Sequence, residues 1–185
     1  LGVLSGMSLG NESHIICDIG GGSTELILAN SKDTRALTSS RIGAVRLKND
    51  FFQDEPLTNS RLDFIKTFIQ GSLEPSIGKI KSRLDKNESI SMIATSGTAI
   101  ALGNLISSDL GEPKQKMHGY KFDKSNLEAL LSKLIKLKPF DLRKIPSLSE
   151  RRSEIIIPGG LILNTSMEML NISELTISER ALREG

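Results

Sequence analysis

Tryptophan is absent from the sequence, one cysteine and two histidines occur in 185 residues, and aromatic side chains make up only 4%. A single cysteine cannot build a disulfide framework, and with two histidines it cannot complete a Cys/His zinc cluster. No charge of one sign dominates: 24 Lys plus Arg stand against 22 Asp plus Glu, for a net charge of +2. That balance lacks the positive excess of a nucleic-acid-binding surface, so no nucleic acid partner is expected. No apolar run approaches the roughly 20 residues of a membrane span, and no basic segment leads into a secretory signal core. The expectation is a cytoplasmic α/β protein with no membrane span, long enough for one self-sustaining core.

The chain opens at Leu1 rather than Met and closes at Gly185 without a polar tail, so both ends read as cuts through a longer protein. His14 to Asp18 is short, apolar and β-branched; Ser23 to Ala29 is apolar again, and Thr34 to Ile42 carries enough polar residues for a half-exposed strand. Short turns between them predict an antiparallel meander. From Thr58 the period becomes helical, through Leu62, Ile65, Phe68 and Ile69, then Ile77, Ile80 and Leu84, with a kink expected at Pro75. Ser89 to Thr95 reads as a strand and Ala99 to Ile106 as an apolar helix. Residues 107–122 read as a polar connector, and Asp123 or Ser125 could cap a helix through Leu137. Glu150 to Leu170 is an apolar helix that Pro158-Gly159-Gly160 should interrupt, and Glu174 to Ser178 is a last strand. Five strands in this order predict a mixed sheet covered on both faces by helices. A ribonuclease-H-like lobe has that order, as do other α/β folds.

The richest segment is Asp18-Ile-Gly-Gly-Gly-Ser-Thr-Glu25. Gly20, Gly21 and Gly22 remove every Cβ from one turn, so backbone N–H groups can approach an anion closely. Gly21 is expected at positive φ, and Ser23 and Thr24 add hydroxyl donors. Asp18 and Glu25 flank the turn, and carboxylates beside a polyphosphate ordinarily hold a divalent cation or orient water. Other phosphate motifs fail. A dinucleotide fingerprint needs glycine where Glu25 stands, and a P-loop needs Ser or Thr after Gly78-Lys79, where Ile80 stands. Ser96-Gly97-Thr98, between a strand and a helix, is a second candidate anion site, with Thr98 as the expected helix cap.

Asp18 to Glu25 resembles the second phosphate-binding motif of the exopolyphosphatase/guanosine pentaphosphate phosphatase family. Further segments resemble the family in order: Ile42-Gly-Ala-Val-Arg-Leu47, Ala94-Thr-Ser-Gly-Thr-Ala99, Arg151 to Leu163, and Ser178 to Gly185. The resemblance implies an actin-like lobe, the second of two, with the first lobe absent from residues 1–185. It implies a bacterial enzyme that hydrolyses terminal phosphoanhydride bonds of polyphosphate or guanosine pentaphosphate. Asp18 and Glu25 would hold Mg²⁺ or another divalent cation and serve catalysis. Gly20, Gly21, Gly22, Ser23, Thr24, Ser96, Gly97 and Thr98 would bind phosphate. The family's water-activating Glu would fall just before Leu1, so this chain alone is expected to be inactive. A homodimer stays open, as do a non-catalytic guanosine tetra- or pentaphosphate sensor and an ATPase or sugar-kinase lobe.

The remaining candidates read mainly as structure. Arg151 and Arg152 could fork a phosphate but more ordinarily make ion pairs beside a helix start. Where the family commonly has Arg-Ala-Asp, this chain has Arg152-Ser153-Glu154. Gly43, read as lying between extended segments, is either a bulge or a close approach to phosphate. Gly159 and Gly160 read as close helix packing, and the lysines around His118 and Tyr120 as solvated surface.

Overall fold

The computed structural model describes residues 12–52 and 57–179. The Leu1–Met7 segment and most of the Ser178–Gly185 ending lie outside them. Six strands form one sheet in the order β3-β2-β1-β4-β6-β5. They are β1 (Ser13–Ile19), β2 (Thr24–Ala29), β3 (Thr34–Ser40), β4 (Ile90–Thr95), β5 (Lys121–Asp123) and β6 (Glu174–Ser178). The first three form the expected antiparallel meander, while β4 and β6 run parallel to β1. Setting aside the short antiparallel edge strand β5, this is the ribonuclease-H-like arrangement.

Six helices are described: α1 (Ala44–Phe51), α2 (Asn59–Lys81), α3 (Gly97–Asp109), α4 (Lys124–Leu134), α5 (Pro139–Leu142) and α6 (Glu150–Met169). Alternation along the strands puts Ile15, Cys17, Leu26, Leu28, Met92, Ala94, Leu175 and Ile177 on one sheet face. Residues from all six helices join them in one core, among them Leu47, Ile69, Leu102, Leu131, Leu142 and Ile162. The described helices therefore pack on one face, not two. On the reverse face Ile16 and Ile93 are buried outside that core cluster. α6 is buried on nearly every side from Ile156 to Met167, which is why its apolar residues show no helical stripe.

Several boundaries depart from expectation. α2 is one helix through Pro75, and α6 continues through Pro158-Gly159-Gly160. Proline removes one N–H bond within a helix, and burial of both helices in the core outweighs that loss. Gly159 and Gly160 do serve packing. A Cβ on Gly159 would strike Thr98 Cγ2, and one on Gly160 would lie 2.6 Å from Leu131 Cδ2. Residues 107–122 hold the end of α3 and the start of β5, three residues too short for a periodic signal. α1 was not foreseen at all, because polar Arg46, Lys48, Asn49 and Asp50 leave only Ala44 and Leu47 buried.

Candidate functional site

The meander brings its charged residues into register. Asp18 pairs with Glu25 across the β1–β2 hairpin, and directly opposed residues share a sheet face. The same row continues outward from Glu25 to Ser39, and in the other direction from Asp18 to Thr95 and then Ser178. Five neighbouring strands thus contribute one polar row, Ser39–Glu25–Asp18–Thr95–Ser178, on the face opposite the helices. Ser23 and Ser39 both donate to Glu25 Oε1, at 2.7 and 2.8 Å. These two hydroxyls orient the carboxylate and stabilise its charge. Sequence reasoning found Asp18 and Glu25 but missed Ser39, Thr95 and Ser178, since only strand pairing reveals them.

Residues 20–23 close the hairpin, with the Gly20 N–H donating to Ser23 O at 2.9 Å. Among the described residues only Gly111 and Gly119 are glycines at positive φ, so Gly21 does not have the left-handed backbone expected of it. Crowding is what restricts Gly21: a Cβ there would lie 3.2 Å from Val45 Cγ2. Gly22 has open space around it. Gly43 does not separate two strands but is the N-cap of α1, and it packs on the glycine loop itself. The N–H groups of Ala44, Val45 and Arg46 donate to Gly20 O (2.9 Å) and Gly21 O (3.0 Å from both). Thr24 is fully buried and its hydroxyl donates to Ile42 O at 2.6 Å. That spends its hydrogen on the scaffold, so Thr24 braces the loop and does not face an anion.

The β4–α3 turn comes to the same edge. Ser96 sits at φ 114°, a strained backbone for a residue with a side chain, and caps α3 by accepting from the Ala99 N–H at 3.3 Å. The cap is therefore Ser96, while Thr98 is a buried helical residue packed under Gly159. Gly20, Gly21, Val45, Gly97, Thr98, Arg151 and Arg152 line an open cleft of about 300 Å³. A Cβ on Gly97 would be 2.9 Å from Arg152 Nη2, so glycine leaves room for the guanidinium to lie over the turn. Arg151 and Arg152 make no ion pair among the described residues. The ion-paired residue in their turn of α6 is Glu154, which bridges Lys48 (3.3 Å) and Arg143 (3.5 Å).

No group of three or more His, Cys, Asp and Glu that could hold a metal occurs among the described residues. The donor chemistry still fits Mg²⁺, which is bound through one or two carboxylates plus phosphate oxygens and water rather than a full protein cage. Asp18 and Glu25, side by side on one face, are such a pair. Cys17, directly behind them in the core, is chemically quiet. Burial, then the Asp18 and Glu25 carboxylates, push its thiol from 9.0 up to about 12.

A ribonuclease-H-like sheet with a glycine hairpin, paired carboxylates and an arginine-lined cleft along one edge defines an actin-like lobe. The chain belongs to the Ppx/GppA phosphatase family, whose model matches residues 1–185. It is 29% identical over 177 residues to a guanosine-5'-triphosphate,3'-diphosphate pyrophosphatase of Aliivibrio fischeri, covering 95% of this chain and 33% of that protein. A putative exopolyphosphatase of Haemophilus influenzae is 26% identical over 171 residues, covering 92% of this chain and 50% of the relative. The chain thus spans a third to a half of these curated relatives. The fold matches an exopolyphosphatase from Cytophaga hutchinsonii with a TM-score of 0.87 at 20% identity, covering 99% of this chain and 58% of that one. The Aquifex aeolicus PPX-GPPA enzyme matches at 0.83 and 22% identity, with the same coverage.

Proposed function

We propose that this chain is the second lobe of a phosphoanhydride hydrolase that releases terminal phosphate from polyphosphate, guanosine pentaphosphate or both. The observation that carries this reading is the in-register Asp18–Glu25 pair beside a hairpin whose Gly21 and Gly22 N–H groups make no hydrogen bond among the described residues. Gly21 and Gly22 donate to the oxygens of the phosphate under attack, where charge builds in the transition state. Arg152 and Arg151 clamp phosphate from the other side of the cleft; Arg can do so with two parallel bonds where Lys cannot. Ser23 and Ser39 hold the Glu25 carboxylate in place. Asp18 and Glu25 would hold Mg²⁺, which when bound supplies neutralising charge to the phosphate oxygens. The water-activating Glu would come from the segment just before Leu1, outside these residues, so the chain by itself would bind phosphate weakly and turn over nothing.

The test is phosphate release by the full-length protein from long-chain polyphosphate and from guanosine pentaphosphate with Mg²⁺ present. Release from either supports the reading. Tight binding of the nucleotide without release of phosphate from either substrate would instead make the protein a sensor.

A further inference from the structure

We propose that Gly43 is a positioning residue, which lets α1 seat on the glycine loop and so fixes the direction in which the loop's N–H groups point. The proposal rests on the phosphate-loop reading above. Gly43 has φ −142° and ψ 166°, extended backbone that any residue adopts, so conformation does not ask for glycine here. Space does. A Cβ on Gly43 would lie 2.5 Å from Gly21 C, 2.6 Å from Gly21 O and 2.6 Å from Gly22 N. Those are backbone atoms and cannot swing aside as a flexible side chain could.

The close approach has a directional consequence. The first three N–H groups of α1, which have no partner inside the helix, end on Gly20 O and Gly21 O. A trans peptide sets its N–H opposite to its C=O, and no cis peptide is present among the described residues. With the two carbonyls turned into α1, the N–H groups of Gly21 and Gly22 are turned away from it. The helix also polarises those peptides, because each carbonyl held by a donor strengthens the N–H of its own unit. Thr24 is a second tether on the same joint, since its hydroxyl holds the Ile42 carbonyl immediately before Gly43. A side chain at position 43 would lift α1 off the loop or twist the Gly21–Gly22 peptide, and either change loses the aim of the donors.

The experiment titrates inorganic tripolyphosphate into the full-length protein and follows the thermal midpoint in parallel. Gly43→Ala should bind at least about tenfold more weakly, the scale of one lost charge-assisted hydrogen bond. Because that variant can fail to fold, Thr24→Val tests the joint from the other side. It should also weaken binding, and Thr24→Ser, which keeps the hydroxyl, should restore it. Ile69→Val, in the core away from the loop, supplies the comparison: a lower midpoint with unchanged affinity. Folded Gly43→Ala or Thr24→Val protein with wild-type affinity would overturn the proposal and leave the proposed function standing. Affinity that falls equally in Ile69→Val would overturn it too, because the loss would track stability alone. An unsubstituted protein that binds neither tripolyphosphate nor guanosine pentaphosphate would overturn both.

Discussion

Gly97→Ala separates stability from function at the candidate site. Position 97 is the first residue of α3, and replacing glycine by alanine in a helix stabilises by up to about 1 kcal/mol, less at an end. The new Cβ would fall 2.9 Å from Arg152 Nη2 and 3.4 Å from Cζ, closer than side chains tolerate, so the guanidinium must move. Arg152 is exposed and makes no ion pair among the described residues, so moving it costs only a few tenths of a kcal/mol, as for most surface changes. The two effects nearly cancel, and the thermal midpoint should stay within ~2 °C of wild type.

Anion binding should not stay. An arginine–phosphate contact is worth about 1.5–3 kcal/mol, so displacing it weakens tripolyphosphate binding by roughly ten- to hundredfold. Arg152→Lys should fall in the same range, because an ammonium keeps the charge and loses the fork. Gly159→Ala gives the opposite profile: its Cβ meets Thr98 inside the helix interface, and overpacking of that kind costs about 1–3 kcal/mol. The assay pairs thermal melts with calorimetric titration of tripolyphosphate into the full-length protein. Gly97→Ala that melts like wild type and binds with unchanged affinity would take Arg152 out of the anion site.

Three other outcomes are expected. Asp18→Asn and Glu25→Gln in the full-length protein should lower turnover by ~10²–10⁴ and raise the Mg²⁺ concentration for half-maximal rate, with little change in the folding midpoint; wild-type rates at saturating Mg²⁺ would remove that residue from the metal site. The Cys17 thiol ionises near 9.0 when unfolded but is held up to about 12 when folded. Its contribution is therefore complete below 9.0 and lost as pH climbs towards 12, so Cys17→Ala should flatten the alkaline fall in urea stability, and equal slopes would refute this. Burial lowers the pKa of His14 below 6.5, with Glu12 opposing. Stability should decline as pH drops below 6.5, where the unfolded imidazole takes up a proton before the folded one, and His14→Gln should shrink that decline in acid denaturation curves.

Much of the fold was written in local pattern. The β-branched run before the glycines, the apolar stretch from Ser23 to Ala29, and the spacing of Ile65, Ile69, Ile77 and Ile80 each act over a few residues, and a strand or helix formed at each. What local pattern could not supply was anything set by pairing or burial. β5 is held by its register with β6, Lys121 opposite Thr176 and Asp123 opposite Glu174, not by its own sequence. Pro75 and Pro158 mark breaks in an isolated helix, yet both sit inside continuous helices that the core embraces. At the site, Asp18 and Glu25 were legible because a hairpin makes sequence neighbours into space neighbours. For Arg152 the sequence left a phosphate fork and an ion pair both open: it lies 134 positions beyond Asp18, and only packing of α6 against α3 brings it over Gly97.

Strand direction explains why these pieces share one edge. β4 and β6 run parallel to β1, so Asp18, Thr95 and Ser178 all stand near the carboxyl ends of their strands. β2 reverses against β1 and β3 reverses again, which returns the start of β2 and the end of β3 to that edge. Three of the connections at it are candidate-site segments: the glycine hairpin after β1, Gly43 and α1 after β3, and Ser96-Gly97 after β4. Ligands in open α/β sheets bind outside carboxyl ends for this reason, since helices following parallel strands present their N-termini there. In this lobe Gly97 and Thr98 at the start of α3 line the cleft directly, whereas α1 spends its first N–H groups on Gly20 and Gly21. The glycine loop is thus an extension of α1, and Gly21 is needed less for its own dihedral angles than for the close approach of Val45 at the start of that helix.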